Sequence, residues 1–525
     1  MAEETAVPGR TASGSPLAPA WLGVPANLNA LESKLWAHDV DRGPGGELTV
    51  GGLGVGELAE RFGTPLFVLS EDDFRARARA FKDAFDAAFA DVCGGVDVYY
   101  AGKAFLCSAV AAWAADEGLR LDTCSGGELA VAAKAGLPGE SLGLHGNNKS
   151  DAEIERALDL GVGRIVVDSL DELERVAAIA AARADADPER REVRAKVMLR
   201  LTPGVHAHTH EFIATAHEDQ KFGLSMAPGT ASAEFQAEVA EESGPEAAVV
   251  ASAAEEAVAA AAGHDSIELL GLHCHIGSQI FEPEGFEVAA VKLLTFLAAM
   301  RSAYDVALPE LDLGGGHGIA YTPADTPRPA AEIAEVLAAV VRSTCAELKI
   351  TPPRISIEPG RAIVGSTTFT LYRAGTVKDV VVDLPGVDGP GHGEEAAGTT
   401  ATPTAVRRYL SVDGGMSDNA RPVLYDADYS AVLANRASSA AAQLTRVVGK
   451  HCESGDIVVR DVYLPADAGR GDLIAVPGTG AYCWALSSNY NYLGRPGVVA
   501  VRHGSARWIV RGETEQDLLS RDMGV

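Results

Sequence analysis

Short apolar segments alternate with longer amphipathic segments along the first two thirds of the chain. The longer segments are alanine-rich with helical periodicity, among them 104–117, 126–135, 151–160 and 170–182. Ser125, Ser150 and Ser169 precede three of them, as helix N-caps do. The apolar segments that we interpret as strands are 96–100, 119–121, 141–144, 164–167, 196–201, 269–272, 309–313 and 354–357. Eight repeats of strand and helix predict an α/β fold with a (β/α)8 barrel over residues 71–362.

The pattern changes after residue 361. Strand-like runs at 368–372, 376–382, 409–412, 473–476, 498–501 and 508–510 are separated by Gly and Pro, which predicts a mainly antiparallel β domain over 363–525. We expect residues 26–70, with a helix at 55–62 and a strand at 66–69, to pack with that domain. We predict a disordered tail at 1–25 and a flexible surface loop at 384–404. The acidic stretch 231–262 is expected to form one or two solvated helices on the barrel rim.

Composition narrows the possible partners and compartment. The formal charge of −29 among 525 residues argues against nucleic acid and anionic membranes as partners, although local donors can still bind an anionic cofactor. The seven cysteines form no C-x-x-C pair, which favours a reducing compartment. Residues 1–20 lack the features of a signal peptide, and no apolar run is long enough to span a membrane. We therefore expect a soluble, cytoplasmic protein.

Polar or glycine-rich residues follow every predicted barrel strand. In such barrels the active site lies at the C-terminal ends of the strands. The residues found there are Lys103, Asp122, His145, Asp168, Arg200, His273, His275, Ser278, Gly314–Gly316 and Glu358–Arg361. A barrel with a purely structural role would not need them, so we predict an active site at this end.

The glycines after the seventh strand and Pro-Gly-Arg after the eighth indicate a phosphate site, because barrel enzymes often bind phosphate with these two loops. A glycine triplet can also be no more than a turn. Lys103 at the end of the first strand is placed to form a Schiff base, although a lone lysine is more often a surface residue. Glu358 could pair with a pyridine nitrogen or form a salt bridge with Arg361.

His273 and His275 would face the same side of a strand, as two metal ligands do. No third ligand follows at zinc spacing and the chain has no H-E-x-x-H motif, so we predict no metal. We expect His275 to stack on a planar ring and His273 to lie in the core or behind the site.

A set of motifs then identifies a family. From about residue 30 to 505 the chain resembles diaminopimelate decarboxylases, members of the fold-type III, alanine racemase-like enzymes that depend on pyridoxal phosphate. The motifs that carry this resemblance are YYAGKAF, DTCSGGEL, HGNNKS, HEFIATAHEDQKFGLS, GLHCHIGSQI, DLGGGHGIAY, EPGRAIVG, VDGGMSDNARPVLYDA, CESGD and GAYCWALSSNYN. The resemblance implies decarboxylation of meso-2,6-diaminopimelate to L-lysine and CO2.

The resemblance also implies roles for individual residues. Lys103 would hold pyridoxal phosphate covalently, and Cys452 would donate a proton, unless Lys103 does so. Cofactor contacts would come from His275, Ser278, Gly314, Gly315, Gly316, Glu358, Gly360, Arg361 and Tyr482. Substrate contacts would come from Arg361, Arg421, Tyr425, Glu453, Ser454 and Tyr482. Because Cys452 and Glu453 reach the site from the neighbouring subunit in this family, a homodimer with shared sites is expected.

Three alternatives stay open at this point. The enzyme could decarboxylate another amino acid, such as arginine, ornithine or carboxynorspermidine, although Arg421 with Glu453 favours a substrate with both a distal carboxylate and an ammonium. The chain could be a non-catalytic carrier of pyridoxal phosphate, which would not need the C-terminal β domain. It could be a racemase, which would require a tyrosine opposite Lys103.

Overall fold

Eight parallel strands form a closed barrel in this computed structural model, which describes residues 14–187, 193–204, 220–384 and 403–524. All eight strands predicted from the sequence are present. They are Val96–Ala101, Arg120–Thr123, Leu142–Leu144, Arg164–Val167, Ala195–Thr202, Ile267–His273, Glu310–Asp312 and Arg354–Ile357. The barrel closes because the eighth strand pairs with the first, with Ile355 opposite Val96. Most of these strand residues are buried, as expected for a parallel sheet that is covered on both faces.

Helices between the strands carry the caps expected from the sequence. The hydroxyl groups of Ser125, Ser150 and Ser169 accept hydrogen bonds from the backbone N–H groups three residues further on. The helices of this part of the chain are Glu71–Cys93, Ser108–Asp116, Gly126–Lys134, Asp151–Leu160, Leu170–Ala186, Ala233–Ser243, Pro245–Val250, Ala253–Gly263, Glu284–Tyr304, Ala330–Leu348 and Arg361–Val364. A short strand, Leu224–Ser225, pairs with the fifth barrel strand.

The prediction for the acidic stretch 231–262 was wrong in two respects, the number of helices and the exposure of the last one. It forms three helices, and the last of them, Ala253–Gly263, buries Ala254, Ala257, Val258 and Ala261. This helix packs against the fifth and sixth barrel strands, so it belongs to the barrel rather than to a solvated rim. Alanine is small enough to serve on either a buried or an exposed helix face, which is why composition alone misplaced it.

A second sheet, mostly antiparallel, contains the C-terminal strands and one strand from before the barrel. Leu66–Ser70 pairs antiparallel with Thr368–Asp383 and parallel with Gly497–Arg502. The strands of this part of the chain are Val40–Arg42, Leu48–Val50, Leu53–Gly54, Leu66–Ser70, Thr368–Asp383, Thr404–Val412, Val432–Leu433, Ala442–Val448, Ile457–Pro465, Leu473–Pro477, Gly497–Arg502 and Ser505–Val510. Its helices are Val55–Phe62, Arg421–Tyr425 and Glu515–Leu519.

By its contacts the chain divides into two compact units, one of residues 74–319 and 326–364 and the other of residues 1–73, 320–325 and 365–525. The second unit has a core in which Leu35, Trp36, Leu58, Phe369 and Val499 are buried together. Residues 1–13 of the predicted tail and 385–402 of the predicted loop lie outside the described residues. Among the helices that the structure describes, none combines the length and the hydropathy needed to cross a bilayer.

Candidate active site

The glycine turn after the seventh barrel strand is folded tightly against its neighbours. Gly314 and Gly316 have φ angles of 74° and 114°, which side chains other than glycine rarely adopt. A Cβ atom on Gly314 would lie 2.3 Å from the carbonyl oxygen of Cys274. The N–H of Gly314 donates to Asp312 Oδ1 at 2.6 Å. The turn therefore depends on glycine, and Asp312 anchors its first residue.

His275 is tied to the same turn. The Gly315 N–H donates to His275 Nδ1 at 3.2 Å, which assigns the unprotonated nitrogen to that side of the ring. Burial, followed by the positive charge of Lys103, holds the pKa of His275 well below its usual value. His275 is therefore a neutral ring fixed beside the glycine turn, as a side chain that stacks on a planar cofactor should be.

Arg361, after the eighth strand, forms a hydrogen bond with Ser278, after the sixth strand. Arg361 Nη2 donates to Ser278 Oγ at 2.9 Å, and the Arg361 side chain is buried. A Cβ atom on Gly360 would lie 2.9 Å from Cβ of Ala101, so the loop after the eighth strand lies close to the end of the first strand. The structure thus brings Ser278, which follows the sixth strand, together with Arg361, which follows Gly360 in the loop after the eighth strand.

Lys103 lies in a 3-10 turn, Gly102–Ala104, directly after the first barrel strand, and its side chain is exposed. Its charge acts on the pKa values of Asp122, His275 and Glu358, since it is among the causes of the shift at each of them. The charged amine therefore lies near enough to these buried groups to act on them electrostatically.

Glu358 lies at the centre of a buried polar cluster. Its Oε1 is 3.0 Å from His273 Nε2 and 3.4 Å from His145 Nε2. Burial raises the pKa of Glu358, with a further contribution from Asp122, and burial lowers the pKa of His273 to about 3. Neither imidazole is aligned to donate a hydrogen bond to Oε1, and no other described residue donates one to it. A buried carboxylate oxygen without a donor fits the partner of a protonated pyridine nitrogen.

These three side chains could also be considered as metal ligands, because their ligand atoms lie within 4.8 Å of one another. Arg164 Nη2 lies 3.7 Å from Glu358 Oε1, and its positive charge would repel a divalent metal ion there about twice as strongly as a singly charged, protonated ring nitrogen. The arrangement therefore favours a ring nitrogen over a metal ion. His273 is buried next to Glu358.

Sequence reasoning missed Arg164, which is buried inside the barrel. Arg164 Nη2 lies 2.7 Å from Asp312 Oδ2 and 3.5 Å from Asp122 Oδ1, and Nη1 donates to Ser356 Oγ at 2.8 Å. Its guanidinium covers the ring of Tyr99 with 3.5 Å to the centroid. A charged residue at the start of an otherwise apolar strand was the signal that could have revealed it.

Arg421 belongs to the unit that contains the C-terminal sheet, and two tyrosines of the same unit contact it. It begins the short helix Arg421–Tyr425, and Nη1 donates to Tyr429 Oη at 2.6 Å. The guanidinium lies 4.4 Å from the ring centroid of Tyr321. Tyr425 is half-buried on the same turn of helix. Tyr321 and Tyr429 were also missed, because their contact with Arg421 depends on the fold.

The turn with Cys452, Glu453 and Ser454 presents all three side chains to solvent. The Cys452 N–H donates to Asn491 Oδ1 at 3.1 Å, and Ser454 Oγ donates to Glu453 Oε1 at 3.5 Å. The structure therefore groups these three residues on one exposed turn. Tyr482 has a φ of 62° and is half-buried between the buried residues Ala481 and Cys483.

Two family models match the chain. Residues 71–365 match the pyridoxal binding domain of pyridoxal-dependent decarboxylases, and residues 377–480 match their C-terminal sheet domain. The barrel, its glycine turn and the buried Glu358 agree with that assignment. Fold and site thus define a pyridoxal-dependent decarboxylase, whose cofactor is pyridoxal phosphate.

Curated relatives and solved structures define the family more closely. The chain is 47% identical over 501 residues to diaminopimelate decarboxylase of Mycobacterium leprae, covering 95% of this chain and 94% of the relative. It is 39% identical over 478 residues to that of Bacillus subtilis, covering 91% and 95%. A structure of the M. jannaschii enzyme in complex with L-lysine matches with a TM-score of 0.76 and 26% identity, covering 93% and 98%. The chain belongs to the diaminopimelate decarboxylase family.

Proposed function

We propose that this enzyme decarboxylates meso-2,6-diaminopimelate to L-lysine and CO2, the last step of lysine biosynthesis. The observation that carries the proposal is the buried Glu358 Oε1, which has no donor among the described residues and lies in the same barrel as Lys103 and the glycine turn. The 47% identity to a diaminopimelate decarboxylase supports the substrate, and the L-lysine complex of the M. jannaschii relative supports the product.

Pyridoxal phosphate supplies an electron sink for the carbanion left at Cα when CO2 departs. Lys103 would attach the cofactor, and His275 would stack on its ring. The N–H groups of Gly314–Gly316, with Ser278 and the Gly360–Arg361 backbone, would bind the phosphate. Glu358, as a carboxylate, would keep the ring nitrogen protonated. The remaining cofactor contact proposed is Tyr482, which would also touch the substrate.

The substrate's distal groups need separate partners. We propose that Arg421, with Arg361 and Tyr425, binds the distal carboxylate, because a guanidinium can meet both oxygens. Glu453, supported by Ser454, would bind the distal ammonium. Cys452 would then hold a proton for Cα. An amino acid without a distal carboxylate would leave the arginines without a partner, which should lower its rate by orders of magnitude.

The activity test compares CO2 release from meso-diaminopimelate, ornithine and arginine, with Lys103→Ala and the exposed-lysine control Lys134→Ala assayed beside the parent enzyme. We expect CO2 from the first substrate only, and its loss in Lys103→Ala but not in Lys134→Ala. Borohydride reduction followed by peptide mapping should find the cofactor on Lys103. Absence of CO2 from meso-diaminopimelate with the cofactor-loaded parent would overturn the proposal.

We further propose a cytoplasmic homodimer in which each active site takes Cys452 and Glu453 from the neighbouring subunit. The exposure of both side chains on the isolated chain supports this arrangement. The free state of all seven cysteines supports a reducing compartment.

Mixing two inactive variants tests the shared site. In a heterodimer of Lys103→Ala and Glu453→Gln, both changes would fall in one site and the other site would be native. Refolding the two variants together should therefore restore about a quarter of the parent activity, since half of the dimers are mixed. If each site were built from one chain, mixing would restore nothing.

A further inference from the structure

Arg164 stands out because one guanidinium faces three carboxylates inside the barrel. Its Nη2 atom lies 2.7 Å from Asp312, 3.5 Å from Asp122 and 3.7 Å from Glu358. The Arg164 side chain is 1% exposed and that of Asp312 is fully buried, so water cannot screen these charges. A buried cation in this position acts on every acidic group of the cluster.

Asp312 connects Arg164 to the glycine turn. Its Oδ2 faces Arg164 and accepts a hydrogen bond from Ser356, and its Oδ1 accepts from the Gly314 N–H at 2.6 Å. Glu358 is connected to the same turn, since its backbone N–H donates to the Gly314 carbonyl at 2.9 Å. The buried Arg164–Asp312 ion pair therefore connects Glu358 with Gly314, the first residue of the glycine turn.

We propose that Arg164 is a positioning residue for the cofactor, which supplies the buried positive charge that keeps Glu358 a carboxylate and, through Asp312, fixes the glycine turn. This role rests on the proposed function, in which Glu358 faces the ring nitrogen. Arg164 itself does not need to touch the cofactor or the substrate.

The electrostatic surroundings support this role. The charged and titratable groups that act on Glu358 are Asp122, His145, Lys103, Arg164, Arg200, His273, Cys274 and, through Arg164, Asp312. Burial lowers the pKa of both histidines, so neither supplies a positive charge at neutral pH. Burial also raises the pKa of Asp122 to about 7. Arg200 is also buried, but it faces Asp168 at 3.8 Å. Among the described residues, Arg164 is therefore the arginine within 4 Å of Glu358, and its removal would leave acidic groups facing one another.

The test uses Arg164→Gln and Arg164→Lys, with Lys149→Met as the matched control. Lys149 forms another buried ion pair of the same barrel, 3.0 Å from Glu172, and has no contact with Glu358 among the described residues. Each cofactor-free protein is titrated with pyridoxal phosphate by absorbance, and the bound-cofactor spectrum is followed as a function of pH. Circular dichroism checks the fold of every variant.

We expect Arg164→Gln to bind pyridoxal phosphate about tenfold more weakly or worse. The pH at which the bound-cofactor spectrum changes on the acid side should rise by about one unit or more, because loss of the nearby positive charge favours protonated Glu358. Arg164→Lys should keep most of the affinity. Lys149→Met should lose thermal stability but keep the affinity and the pH midpoint of the parent.

Parent-like affinity and pH midpoint in Arg164→Gln would overturn the proposal, and so would equal changes in Lys149→Met. If Arg164→Gln does not fold, the double variant Arg164→Gln/Asp312→Asn decides, because it removes one charge of each sign. Parent-like cofactor binding in that variant would also overturn it. A parent protein that does not bind pyridoxal phosphate would instead contradict the proposed function.

Discussion

His451 Nδ1 lies 2.8 Å from Asp456 Oδ2, and both side chains are buried at the base of the turn that carries Cys452 and Glu453. The same Oδ2 accepts from the His451 backbone N–H at 2.8 Å, while Oδ1 accepts from the Met416 N–H at 2.6 Å. Asp456 therefore closes the turn and attaches it to a neighbouring loop. The exposed side chains of Cys452 and Glu453 therefore stand on a turn that this buried carboxylate holds in place.

Asp456→Asn tests that dependence. Both carboxylate oxygens accept N–H groups, so in either orientation the new amide would direct its own NH2 group at a donor. We expect the free energy of unfolding to fall by about 1–3 kcal/mol, the cost of a buried group left unsatisfied. The kcat/KM for meso-diaminopimelate should fall as well. Urea unfolding and a CO2-release assay measure the two effects.

Asp379→Asn is the control for this change. Asp379 pairs with Arg408 at 2.9 Å on a partly exposed strand of the same unit, and surface changes of this kind usually stay within about 0.5 kcal/mol. If Asp456→Asn matched this control in stability and in activity, Asp456 would not be what orients the turn.

Cys452→Ala tests the proton donor. If the thiol delivers a proton to Cα, kcat should fall by about 10²–10⁴-fold, the usual contribution of a general acid, with little change in KM. Cys93→Ala, a half-buried cysteine of the other unit, should keep the parent kcat. Steady-state kinetics measure both variants. A parent-like kcat in Cys452→Ala would assign the proton to Lys103.

The barrel was predictable because each of its strands is an apolar run between helices with recognisable caps. Two features of the fold depended on packing instead. The runs 368–372 and 376–382 form one strand, Thr368–Asp383, whose register shifts between Ala374 and Val377 around Gly375. From the sequence, Gly375 predicts a turn, but in the structure it lies at a bulge in a continuous strand. The buried alanines of Ala253–Gly263 were equally ambiguous.

The candidate site was predictable where chemistry follows a strand end. Lys103, His275, Gly314–Gly316 and Glu358 stand at such positions, and the motifs assigned their expected roles. Arg164 begins the fourth strand and Asp312 is the last residue of the seventh, so a rule that considers only the residues after each strand finds neither. Arg421 was recognised, but its contact with Tyr321, 100 positions earlier in the chain, exists only in the folded protein.

Arg421→Lys tests the carboxylate partner. The guanidinium of Arg421 is oriented by Tyr429 Oη at 2.6 Å and by the ring of Tyr321, and a lysine ammonium cannot reproduce the planar fork. We expect kcat/KM for meso-diaminopimelate to fall about 10- to 150-fold, as for a lost hydrogen bond to a charged group. Steady-state assays with meso-diaminopimelate measure this ratio.

Tyr429→Phe should produce a smaller loss in the same direction, because Arg421 would remain but lose one of its anchors. Arg408→Lys, a change in the surface pair with Asp379, is the control and should leave kcat/KM unchanged. Equal kcat/KM for Arg421→Lys and the parent would remove Arg421 from substrate binding.

The buried Asp418 should make the free energy of unfolding depend on pH. Its side chain is buried, its Oδ1 accepts from the Gly415 N–H at 2.6 Å, and burial raises its pKa from 3.8 to about 7. Because the folded protein binds this proton more tightly than the unfolded chain, the contribution to stability is complete below pH 4. This contribution is lost as the pH rises toward 7, and the stability does not change further above that pH. The total loss is about 1.4 kcal/mol for each unit of difference between the folded and unfolded pKa values.

Asp418→Asn removes this titration while its amide oxygen can still accept from Gly415. Urea unfolding of the parent and the variant at several values between about pH 5.5 and 8 measures the effect. The difference in unfolding free energy, variant minus parent, should increase up to about pH 7 and then level off, because only the parent loses stability over that interval. A difference that stays constant across the series would mean that Asp418 is already ionised in the folded protein at pH 5.5, and that a cation or donor compensates for its burial.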